Sequence, residues 1–103
     1  MKKQAITSAA ALKRQCQTVS ALLKVLSHPQ RLMVLCCLGE GEKTVGELEE
    51  ACGASQSAMS QFLKSMRLEG LIAFRREGQF VYYRIADERL VGLMTALHKV
   101  FCS

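Results

Sequence analysis

The stretch "TVGELEEACGASQSAMSQFLKSMRLEG", residues 44–70, holds two helical patterns separated by a tight turn. Thr44 and Glu47 have the spacing of a capping box, in which a hydroxyl and a carboxylate each satisfy a backbone N–H at a helix start. Val45, Leu48, Ala51 and Cys52 then share one face. Gly53 lies in the turn "CGAS", and Ser55 caps a longer helix that runs to about Glu69. Two helices joined in this way predict a helix-turn-helix.

Projected at about 100° per residue, the second helix divides cleanly. Ala58, Met59, Phe62, Leu63 and Met66 gather on one side, and Gln56, Ser57, Ser60, Gln61, Lys64 and Arg67 on the other. Any amphipathic surface helix splits into two faces. A solvated face is usually mixed Glu and Lys, however, whereas Gln, Ser, Lys and Arg supply the donors and acceptors that base edges and phosphates require.

Downstream, "LIAFRREGQFVYYRI" (71–85) contains two runs rich in β-branched and aromatic residues around the turn "EGQ". Arg75 and Arg76 are expected at its tip, in position for a phosphate backbone or a minor groove. "ADERL" starts a last helix, capped by Asp87 and running to about Phe101.

Upstream, residues 8–26 carry Leu12, Cys16, Val19, Leu23 and Leu26 as an apolar stripe of coiled-coil type. "SHPQR" is a break and restart, with Ser27 as cap, Pro29 in the first turn and Gln30 completing a capping box. The following helix, about 29–38, is apolar on nearly every face from Leu32 to Leu38 and should lie inside; Gly39 and Gly41 end it. The predicted fold is mainly α with a two-stranded β-wing: a winged helix-turn-helix of four helices, a basic hairpin and a last helix. The first and last helices are free to build a homodimer.

At 103 residues the chain is long enough for one domain, 1–103, with residues 1–7 as a disordered tail. Half of its residues are hydrophobic. A small monomer has few places to hide so much apolar surface, which again favours a dimer. The net charge of +5 favours a polyanionic partner such as nucleic acid. Residues 44–70 are nevertheless net acidic, so charge alone would not single out the reading helix. The start "MKKQAITSAAALKRQ" is too short and too polar for a secretory signal, and no stretch approaches the ~20 apolar residues of a membrane span. The chain therefore reads as cytoplasmic, with no membrane partner. In that compartment its five cysteines point to free thiols, metal or redox chemistry rather than a disulfide framework.

"LSHPQRLMVLCCL" (26–38), "VGELEEACGASQSAMSQFLKSMRLEGLI" (45–72) and "RREGQFVYYRI" (75–85) together resemble the ArsR/SmtB family of bacterial repressors. The match runs from about residue 20 onward. The resemblance implies a homodimer through the first and last helices that binds double-stranded operator DNA and releases it when an inducer binds. The cysteine motif of arsenic and cadmium sensors is absent, since "EKTVGEL" puts Thr44 and Gly46 at those positions. The zinc-type motif on the last helix is also broken: Asp87 and His98 are present, but Arg89 and Phe101 replace two ligands. No metal site and no cofactor are expected.

"LCCL" and "HKVFCS" resemble instead the BigR/HlyU/SqrR branch, whose members respond to reactive sulfur through two thiols. Carried over by position, that pair is Cys36 and Cys102, with Cys36 expected to be the more buried. Two departures stand out: Cys37 where a bulky apolar residue is common, and Phe62 where relatives often carry His. The resemblance implies a persulfide or polysulfide inducer. One thiolate takes the sulfane sulfur, the other thiol attacks it, and the resulting bridge releases DNA. Cys16, Cys37 and Cys52 read as packing residues, since free cysteine is among the most buried residue types.

Two rival readings stay open. One is an ArsR-type repressor induced by a thiophilic metal or a general oxidant. The other is a thiol or interaction module that does not bind DNA. An enzyme is not indicated, for the chain has no nucleophile–base pairing and no phosphate-binding glycine loop.

Overall fold

A computed structural model describes residues 9–102. The expected tail at residues 1–7 lies outside the described residues. Helix α1 spans Ala9–Leu26 and α2 Pro29–Leu38, the two bent 98° apart at the intervening break. A two-residue strand β1, Lys43–Thr44, leads into α3, Val45–Cys52, and then α4, Gln56–Leu68. Strands β2, Ile72–Glu77, and β3, Phe80–Ile85, form the hairpin, and α5 runs from Glu88 to Cys102. The architecture is a winged helix. Among the described residues no single helix is long and apolar enough to cross a membrane.

The sheet differs from the expected two-stranded wing. It has three antiparallel strands in the order β1-β3-β2, with Lys43 opposite Tyr83 and Thr44 opposite Tyr82. A two-residue strand is too short to leave a period-2 pattern in sequence. In the hairpin, Ile72 pairs with Ile85 and Glu77 with Phe80, and Gly78 takes the left-handed φ of +62° that the turn requires.

Start signals decide the helix boundaries. The Thr44–Glu47 capping box forms reciprocally, and Ser55 Oγ accepts from the Ala58 N–H. The α2 cap is a correction, because His28 fills that position and its Nδ1 accepts from the Gln30 N–H. Ser27 instead donates its hydroxyl to the Lys24 carbonyl and closes α1. Asp87 accepts from the Arg89 N–H at the start of α5, as a cap should.

One core joins the elements. Val34 and Leu35 of α2, Leu48 of α3, Met59 and Met66 of α4, Ile72 of β2 and Leu90 of α5 are fully buried in it. Burial of this kind contributes roughly 1.5–3 kcal/mol per large apolar side chain, and it fixes α4 against the body. The N-terminal turn of α2 adds two ties to α4: a ring contact of His28 with Phe62 at 5.1 Å, and a hydrogen bond from Arg31 Nη2 to Ser65 Oγ at 3.2 Å. Phe62 thus acts as a packing residue on the rim of the reading helix.

Helix α1 departs from this picture. In the single chain only Val25 and Leu26 of its residues are buried. Cys16, expected in the core, is exposed. Of the stripe, Leu26 joins the core, while Leu12, Cys16 and Leu23 are left exposed among the described residues.

Candidate nucleic-acid interface and thiol groove

Gln56, Ser57, Ser60, Gln61, Lys64 and Arg67 are all exposed on α4, and that helix contains no acidic residue. The apolar residues opposite them are held in the core, so the packing itself turns this polar face outward. The face continues into the wing through Phe74. Its ring lies 5.2 Å beneath the Arg67 guanidinium and 5.6 Å beneath that of Arg76, so one aromatic residue aligns a cation from α4 with one from β2.

Arg75 is placed differently. Its Nε and Nη2 grip Glu42 at 2.9 Å, Nη1 reaches Glu77 at 3.4 Å, and the guanidinium lies 4.7 Å from the Tyr82 ring centre. The hydrogen bond from Arg75 is the main cause that holds the Glu42 carboxyl below its usual range. Arg75 therefore fastens the wing to the segment before α3, while Arg76, one pair short of the turn, is the outward cation. Sequence reasoning missed Phe74 and Glu42. The only hint of Glu42 was an acidic residue just before the Thr44 cap.

The second feature is a groove of about 650 Å³ between α2 and α5. Leu32, Met33, Met94 and Leu97 supply apolar wall, and both Cys36 and Cys102 open into it with His98 and Phe101. Both thiol residues are exposed. The two adjacent thiols of α2 part company for a geometric reason. Val34, Leu35, Cys37 and Leu38 form the buried side of α2, and at about 100° per residue Cys36 faces away from them. Cys37 is the buried one, at 8% exposure.

The groove walls still shield the Cys36 sulfur. That desolvation is the main cause that raises its pKa, and the nearby Cys37, Cys102 and Glu40 add to the rise. Cys36 and Cys102 thus line the same groove from α2 and from the end of α5. The zinc-type position Asp87 is engaged elsewhere, for both carboxylate oxygens bind the Arg89 guanidinium, the shorter contact at 2.7 Å.

A family model described as bacterial regulatory protein, arsR family, matches residues 28–73. The biofilm growth-associated repressor of Agrobacterium fabrum is 40% identical over 93 residues, covering 90% of this chain and 80% of that protein. The chain belongs to the ArsR family. The crystal structure of the transcriptional repressor BigR from Xylella fastidiosa has a TM-score of 0.86 at 38% identity, covering 94% of this chain and 99% of that one. Reduced HlyU from Vibrio cholerae gives 0.82 at 33%, covering 90% and 98%. As an ArsR-family member the chain is a DNA-binding transcriptional regulator, a class without enzymatic activity.

Proposed function

We propose that this regulator is a homodimeric repressor, one winged-helix unit over residues 1–103, that leaves operator DNA when a persulfide bridges Cys36 and Cys102. The carrying observation is the single groove between α2 and α5 into which both thiols open. Gln56, Ser57, Ser60, Gln61, Lys64 and Arg67 read and grip DNA, Arg76 brings the wing to its backbone, and Arg75 holds the wing in place for it. Support for these roles comes from the exposure of all eight and the absence of acids on α4.

The chemistry balances with a persulfide as the only co-reactant. Each cysteine thiolate attacks the outer sulfur of a persulfide RSSH, gains that sulfur and releases the thiol RSH. The terminal sulfur of one cysteine persulfide then attacks the inner sulfur of the other and expels hydrosulfide. Two thiols and two persulfides give one trisulfide, two RSH and one hydrogen sulfide. The extra sulfur gives the bridge a longer reach than an ordinary disulfide, which is limited to Cα separations of about 7 Å. A link between α2 and α5 loads the helix expected in the dimer interface and alters the spacing of the two reading heads.

The test treats reduced protein with glutathione persulfide, maps the peptides by mass spectrometry, and follows release of labelled DNA from the protein's own upstream region. A Cys36–Cys102 peptide carrying extra sulfur, with DNA release that Cys36→Ser abolishes, is the expected result. Release without that link, or an unchanged response in Cys36→Ser, would overturn the assignment.

A further inference from the structure

Cys37 and Cys52 were both read as packing residues, yet the fold brings them together. Cys37 belongs to the buried core cluster, and Cys52, the last residue of α3, packs against that same cluster. Helices α2 and α3 lie directly on one another. Cys37 also lines the groove between α2 and α5, so this residue borders apolar core on one side and a solvent-connected space on the other. Four of the five cysteines thus adjoin one region, as two pairs of different character: Cys36 with Cys102 across the groove, and Cys37 with Cys52 beneath it.

We propose that Cys37 and Cys52 are a second, interior dithiol that closes to an ordinary disulfide when a hydroperoxide oxidises Cys37 through the groove. The Cys37 thiolate attacks the peroxide O–O bond, giving Cys37–SOH and releasing water once a proton is taken up. The Cys52 sulfur then attacks the sulfenic sulfur and displaces its oxygen as a second water. Two thiols and one hydrogen peroxide give one disulfide and two waters. No spacer sulfur is invoked, because both side chains pack against one core cluster on helices in direct contact. The bond ends at Cys52, immediately before the left-handed Gly53 of the helix-turn-helix turn, so it ties α2 to the joint that aims α4.

The environment of the two sulfurs assigns their order. Burial is the main cause that pushes the Cys52 thiol up to about 11, and the neighbouring Cys37 adds to the rise. A thiol held protonated is a poor first nucleophile toward a reagent in solution. It suits a resolving role, where proximity replaces reactivity.

The test uses the full chain with the groove pair removed, Cys36→Ser with Cys102→Ser, so that its outcome does not depend on the persulfide reading. Exposure of this reduced variant to hydrogen peroxide should give a Cys37–Cys52 peptide 2 Da lighter than its reduced parts, with Cys16 still alkylatable. Adding Cys52→Ala should divert Cys37 to the sulfinic acid, 32 Da heavier, because nothing resolves the sulfenate. The wild-type chain, mapped under the same peroxide, guards against a misfolded variant and should carry the same link. If Cys37 and Cys52 both stay reduced in folded protein, or if oxidation appears only on Cys16, the proposal is overturned.

Discussion

Arg75 and Arg76 are neighbours in sequence and unlike in the structure. Two carboxylates and the Tyr82 ring surround Arg75, whereas Arg76 rests over the face of Phe74. A guanidinium already neutralised by Glu42 and Glu77 displaces few counterions from DNA. We therefore expect Arg76→Ala to lower the slope of log affinity against log salt by about 1, with Arg75→Ala leaving the slope nearly unchanged. Titration of nonspecific duplex DNA between low and moderate salt checks this, and equal slopes for the two variants would refute it. The thiols add a pH prediction at the same scale. Closure of the interior disulfide requires the Cys52 thiolate, whose pKa lies near 11. Below that value the thiolate fraction grows about tenfold per pH unit, so closure after peroxide should speed up from pH 7 to pH 9. Stopped samples alkylated in acid would show it. A rate independent of pH would mean that another step controls closure.

The reading helix shows why elements were more legible than placements. Capping residues and a 3.6-residue period are local signals, and they located α3, α4 and the hairpin to within about a residue. The Thr44 box and the Ser55 cap formed as read. What failed was what depends on partners remote in sequence. β1 exists only because Lys43 and Thr44 meet Tyr83 and Tyr82. Cys16 was expected in the core and is exposed, because what covers α1 cannot be read from α1 itself. The persulfide pair itself came from resemblance; local pattern offered only that a cysteine near the chain's end has no packing reason to be there. The turn gives a test of the local part. Gly53 sits at φ +65° with no atom within 4 Å of the position a Cβ would take, so space is not the constraint and backbone conformation is. Gly53→Ala should cost roughly 1–2 kcal/mol, and Gly53→Asn less, because Asn tolerates this region. Denaturant midpoints of the two variants decide it; an alanine variant as stable as the parent would show that the turn relaxes.

The described residues are more extended than a compact monomer of this size should be. Their radius of gyration is 15.5 Å, where about 13 Å is usual for a domain of this length. The excess comes from α1 and α5, which project apolar surface that the chain does not cover. Leu12 and Leu23 are about half exposed, and Phe101 is 78% exposed. Solvation of so many large apolar groups on two helices is unfavourable, and a second copy laid against them is the occupant that resemblance and geometry both favour. Such a dimer would also cover Cys16 and place two α4 faces on one duplex, so that each half-site raises the effective concentration of the other. The pair Leu12→Asp and Leu23→Asp tests this, because both side chains face outward and neither supports the core of its own chain. The double variant should sediment as a monomer at micromolar concentration and keep its winged-helix circular dichroism apart from some loss in α1. Its affinity for upstream DNA should fall about 100-fold or more, while its weak binding to nonspecific duplex at low salt persists, since the α4 cations are untouched. A variant that remains dimeric would move the interface off α1 and leave its exposed stripe without a partner. One that becomes monomeric yet binds as tightly as before would mean that a single reading head suffices, and a bridge between α2 and α5 could then not act by changing the spacing of two.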